Sequence, residues 1–102
     1  MNEKFKSNCL PLTDYEREVL DILIEECAEV IQRATKMLRF GRDEVQAGQD
    51  LTNAERLALE IGDARHMMKV ANEAGLAPGF RIAEGESIKE RKLLKYMQTV
   101  KP

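Results

Sequence analysis

The chain reads as an all-α protein, and three observations predict it. No stretch alternates β-branched residues between turn signals, and no Asn-Gly type hairpin dipeptide occurs. Apolar residues instead recur at helical spacing through long segments. Three of those segments carry the Ser/Thr-x-x-Glu pattern of a capping box, in which a hydroxyl and a glutamate satisfy each other's backbone amides.

The elements follow in order. Residues 1–12 are polar, end in Cys9-Leu10-Pro11-Leu12, and read as an N-terminal arm, because the proline blocks a helix and no period is sustained. Thr13-Asp14-Tyr15-Glu16 then opens a helix. From there to about Arg39 there is neither Gly nor Pro, and Val19, Leu20, Leu23, Cys27, Val30, Ile31, Ala34, Met37 and Leu38 form an apolar face. Phe40-Gly41-Arg42 ends the helix, and a polar connection around Gly48 leaves room for a short helical turn.

Thr52-Asn53-Ala54-Glu55 opens a second helix over about 52–74, with Leu57, Leu59, Ile61, Ala64, Met67, Met68, Val70 and Ala71 continuing the period. Gly75 suits a left-handed cap with Leu76 closing over it, and Ala77-Pro78-Gly79 suits a turn. Ser87-Ile88-Lys89-Glu90 predicts a third helix over about 87–100. A start nearer Phe80, running straight through Gly85, stays open.

One domain accounts for all 102 residues. A chain of this size buries only about 60–70% of its unfolded surface, and three helices close poorly on their own. A bundle completed by homo-oligomerisation, as a homo-dimer or homo-tetramer, is therefore expected. The formal net charge of −2 is too small to draw in a nucleic acid polymer or an anionic membrane wholesale. No apolar run approaches the ~20 residues a bilayer requires, and the charged segment Met1 to Ser7 has no hydrophobic stretch behind it. A cytoplasmic location is expected. Cys9 and Cys27 are too few for a disulfide framework or a zinc site and read as reduced thiols.

The chemistry lies in two acidic motifs, Glu25-Glu26-Cys27-Ala28-Glu29 on the first helix and Glu60-Ile61-Gly62-Asp63 on the second. Positions three apart lie about 60° apart around a helix and about 4.5 Å along it, so Glu26 can converge with Glu29, and Glu60 with Asp63. Both pairs abut the apolar stripe. One such pair alone is usually a solvated face. Two facing pairs would be a costly concentration of like charge unless a divalent cation neutralised it. Oxygen ligands without histidine or thiolate suit Mg2+, with Mn2+ possible. Gly62 hints at close helix approach beside the acids.

Glu-Glu-x-x-Glu followed by Glu-x-x-Asp, with Lys36 and Phe40-Gly41 between, resembles the signature of the MazG-like all-α nucleoside triphosphate pyrophosphohydrolases, which are similar to the dimeric dUTPases. The resemblance runs from about Leu20 to Gly75. It implies that Glu26, Glu29, Glu60 and Asp63 bind magnesium. Glu25 would be a further ligand or the group that orients or deprotonates the attacking water. It implies hydrolysis of a nucleoside triphosphate, in particular a deoxynucleoside triphosphate, to monophosphate and pyrophosphate, as nucleotide-pool house-cleaning. The chain departs from the pattern in a long spacer between motifs and in lacking the asparagine some members carry past the aspartate; Val70 stands there, and Asn72 is out of register.

Lys36, seven residues after Glu29 on the same face, and then Arg39 are candidate phosphate partners. Lys89, Lys92 and Lys95 line one face of the last helix, and Lys92-Leu93 with Lys95-Tyr96 loosely resembles the family's basic C-terminal motif. Each lysine alone is equally well a solvated one. His66, the single histidine, reads as structural, Met67-Met68 as core or subunit interface, and Phe40 and Tyr96 as packing residues. Two rival functions remain. One is a catalytically silent helical module that binds through its acids. The other is a di-iron bundle, which needs Glu-x-x-His twice, a motif this chain lacks.

Overall fold

The computed structural model describes residues 10–99, and these form three α-helices and no strand. The arm's residues 1–9, Cys9 among them, and Val100 at the expected end of the last helix lie outside the described residues.

Helix α1, Asp14–Phe40, starts on the capping box that the sequence predicts: Glu16 N–H donates to Thr13 Oγ1 at 3.1 Å and Thr13 N–H to Glu16 Oε1 at 2.8 Å. It ends at Gly41, whose φ of +86° only glycine adopts without strain. Helix α2, Asn53–Glu73, starts the same way on Thr52 and Glu55. It closes in a Schellman motif, with Gly75 N–H donating to Asn72 O and Leu76 N–H to Ala71 O.

The connection between these helices contains a hydrogen-bonded turn closed by Gln49 N–H on Gln46 O, at the place where the sequence leaves room for a short helical turn. It folds back onto the first turn of α2. Asn53, 1% exposed, donates its amide to Gly41 O at 2.9 Å and to Glu44 Oε1 at 3.2 Å. The Asn53 and Ala54 N–H groups donate to Glu44 O and Arg42 O, and Arg56 reaches Gln46. The loop thus occupies amide donors that the start of a helix would otherwise leave unpaired.

Helix α3, Gly79–Tyr96, takes the earlier of the two starts left open, near Phe80 and through Gly85, in place of Ser87, and it ends at Tyr96, short of the expected end near Val100, because Met97 turns to an extended ψ of 131°. Pro78 holds a φ of −63°, ready for a helix N-terminus, and accepts from the Arg81 and Ile82 amides. With a helix already nucleated there, Gly85 lowers its stability without breaking it, and Ser87 falls inside the hydrogen-bond ladder instead of capping it.

Helices α1 and α2 pack antiparallel into a hairpin; α3 contacts the rest only lightly. Among the described residues Val19, Ala64 and Ala71 are the buried apolar side chains. The radius of gyration is 18.1 Å, against about 13 Å for a compact chain of this length. Gly62 corrects another expectation: a Cβ there would meet nothing within 4 Å, so the glycine is no close-approach site. Among the described residues no helix is long and apolar enough to cross a membrane.

Candidate metal centre

Packing of the hairpin decides where the acids go. Val19, Ala64 and Ala71 define the buried line between α1 and α2. Glu26 and Glu29 flank that line on α1, and Glu60 and Asp63 flank it on α2. Because the helices run antiparallel, the two i, i+3 pairs meet. One carboxylate oxygen from each of Glu26, Glu29, Glu60 and Asp63 lies within 4.8 Å of the other three. Glu26 and Glu60 are half-buried, and Glu29 and Asp63 are exposed. This acidic cluster is able to hold a metal ion.

The cluster is electrostatically unsatisfied. Glu26 Oε2 and Glu60 Oε2 are buried atoms with no hydrogen-bond partner. Loss of solvent, followed by the charges of Glu29 and Asp63, pushes the Glu26 carboxyl above its usual 4.5. Glu60 is raised as well, first by the Glu29 carboxyl, which favours a protonated partner able to donate to it, then by lost solvent. Carboxylates crowded in this way repel one another, and a hard divalent cation held among them would offset that repulsion by attracting each of the four.

An open groove of about 320 Å³ lies against the cluster, lined by Ile22, Glu26, Asp63, His66 and Met67. His66 is thus an exposed residue at the rim of the acids, one turn beyond Asp63.

The other candidates are more scattered. Glu25 is exposed and outside the four, although its charge contributes to raising Glu26. Lys36 is half-buried on α1, two turns past Glu29. Arg39 is exposed and stacks its guanidinium 5.0 Å from the centroid of Phe40. Lys89 and Lys92 are exposed on α3, a helix that does not pack along the hairpin. Lys95 lies 5.3 Å from the ring centroid of its neighbour Tyr96.

Sequence reasoning passed over Arg33. It falls one turn after Glu29 on the acidic face, is half-buried, and holds a buried Nη1 with no partner. Its spacing, four after Glu29 and three before Lys36, was the available signal. Comparison of the chain with family models, with curated proteins and with solved structures gives no match.

Proposed function

We propose that this chain is a magnesium-dependent nucleoside triphosphate pyrophosphohydrolase, with deoxynucleoside triphosphates as its main substrates. The observation that carries the reading is the meeting of Glu26, Glu29, Glu60 and Asp63 within 4.8 Å. The order and spacing of the two acidic motifs, which resemble those of MazG-like enzymes, supply the substrate class.

These four carboxylates would hold Mg2+, or Mn2+ in its place. When bound, such a cation neutralises phosphate charge and stabilises the charge that develops on the bridging oxygen. The chain's own residues do the rest. Arg33 and Lys36 continue the acidic face with positive charge and would pair with phosphate oxygens. Glu25 takes a proton from water or completes the ligand set. Water adds to the α-phosphorus, the bond to the oxygen bridging to the β-phosphorus breaks, and monophosphate and pyrophosphate leave. Ile22 and Met67, in the groove that the acids share with His66, would offer the nucleoside an apolar wall. The proposed setting is the cytoplasm, where such an activity clears unwanted nucleotides.

A pyrophosphate-release panel across ribo- and deoxyribonucleoside triphosphates with magnesium tests this directly. Release that disappears in Glu26→Gln and Asp63→Asn, both still helical by circular dichroism, is the expected result. No release from any triphosphate would refute the enzymatic reading and leave a catalytically silent helical binding module in its place.

A further inference from the structure

His66 stands outside the four-carboxylate cluster, yet it lines the groove that Glu26 and Asp63 share with Ile22 and Met67. It is the chain's single histidine, and it is exposed there. Ile22 and Met67 are half-buried and apolar, while Glu26 and Asp63 are taken up by the cation in the proposed reaction. Among the described residues of the groove, His66 is therefore the one polar side chain left to meet an organic substrate.

The hairpin gives the groove a direction. On α1, Ile22 stands one turn before Glu26, and Arg33 and Lys36 stand one and two turns after Glu29. On α2, which runs the other way, His66 and Met67 stand about 4.5 Å and about 6 Å along the axis beyond Asp63. Ile22, His66 and Met67 thus lie on one side of the acids, with Arg33 and Lys36 on the other. A nucleoside triphosphate has the same polarity, since its β- and γ-phosphates extend one way from the α-phosphorus and its sugar the other. The anionic end suits Arg33 and Lys36, where one guanidinium nitrogen is buried without a partner. The other end falls beside Ile22, His66 and Met67. Within one helical turn of the α-phosphate that end is sugar; the base lies further out.

We infer that His66 reads the 3′-hydroxyl of the substrate's sugar. The inference rests on the pyrophosphohydrolase reading and adds to it the group selected. A deoxyribose keeps one free hydroxyl, at C3′, and that group suits an imidazole in either tautomer: it accepts from a ring N–H or donates to a bare ring nitrogen. Ile22 and Met67 offer a hydroxyl no partner, so the contact falls to His66. Substrates without the 3′-hydroxyl lose it. Because His66 is exposed, the loss is that of an ordinary hydrogen bond, about five- to tenfold in affinity, and not the far larger discrimination of a buried polar site.

Calorimetry of the full chain with magnesium and the α,β-imido analogues of the common deoxynucleoside triphosphates, each against its 2′,3′-dideoxy counterpart, tests the inference without turnover. Wild type should bind the 3′-hydroxyl form more tightly by that factor. The ratio should fall close to one in His66→Ala and be largely kept in His66→Gln, whose amide also donates and accepts. Proton magnetic resonance gives a second readout: the ring signals of the single histidine should shift further with the 3′-hydroxyl analogue than with the dideoxy one. Equal affinities in wild type, or a ratio that survives His66→Ala, overturns the inference, while pyrophosphate release from natural triphosphates leaves the enzymatic reading standing. Binding of no analogue overturns the inference too, and takes the enzymatic reading with it where the release panel is also blank.

Discussion

The Glu29 carboxyl on α1 is the largest influence on Glu60 across the hairpin, holding the Glu60 proton more tightly than an ordinary glutamate would. The two helices thus bring carboxyls together that cannot all stay ionised without strain between like charges. Removing the charge from either residue relieves the metal-free chain. Glu60→Gln should raise the melting temperature without magnesium and remove most of the stabilisation that magnesium gives. Thermal unfolding with and without the cation measures both effects, and a variant that melts lower than wild type in chelator contradicts the geometry.

The pH dependence has a definite sign. Glu26 and Glu60 both have folded pKa values above 4.5. A group raised on folding binds its proton more tightly in the native state, so its contribution to stability is complete below the unfolded value and is lost as pH rises through the folded one. The metal-free chain should therefore lose stability from these two groups as pH climbs above about 4.5. Magnesium should bind with release of protons, and its stabilisation should grow over the same interval. Melting curves across that range, with chelator and with magnesium, check the two opposed slopes.

Asn53 holds the connection to the start of α2. Replacing it with Ala leaves Gly41 O without the amide and removes the contact to Glu44, both at a site that is 1% exposed. Loss of buried hydrogen bonds of this kind costs about 1–3 kcal/mol. Urea unfolding of Asn53→Ala should show a fall of that size, and a change under about 0.5 kcal/mol, typical of surface sites, would contradict the role.

The caps predict a contrast. Thr13→Ala removes a working capping box and should cost about 1 kcal/mol. Ser87→Ala lies inside α3 with no cap to lose, and should change stability by less than about 0.5 kcal/mol. Equal losses in the two variants would mean that α3 begins at Ser87 after all.

That contrast also shows what the residues alone disclose. Thr13 and Thr52 were legible as helix starts because each hydroxyl follows a loop and precedes an uninterrupted apolar period. Ser87 carries the same four-residue pattern, yet the pattern is local and does not register that Pro78 has already started a helix upstream. The convergence of Glu26, Glu29, Glu60 and Asp63 was likewise legible, since i, i+3 spacing beside an apolar stripe allows little else once two helices pack antiparallel. Gly62 misled because propensity says nothing about which way a helix position faces. Arg33 and Asn53 were missed for a related reason: burial of one guanidinium nitrogen or one amide depends on how the loop and the facing helix close over it, and spacing does not encode that closure.

The account stands on a divalent cation bound by these four carboxylates, and electron paramagnetic resonance of Mn2+ titrated into the chain reads that binding without reference to any substrate. Wild type should deplete the free-ion signal and release the manganese to excess Mg2+, while Glu26→Gln and Asp63→Asn, each folded, should leave the signal at full strength. Undiminished signal with wild type, or equal depletion by the variants, would contradict it.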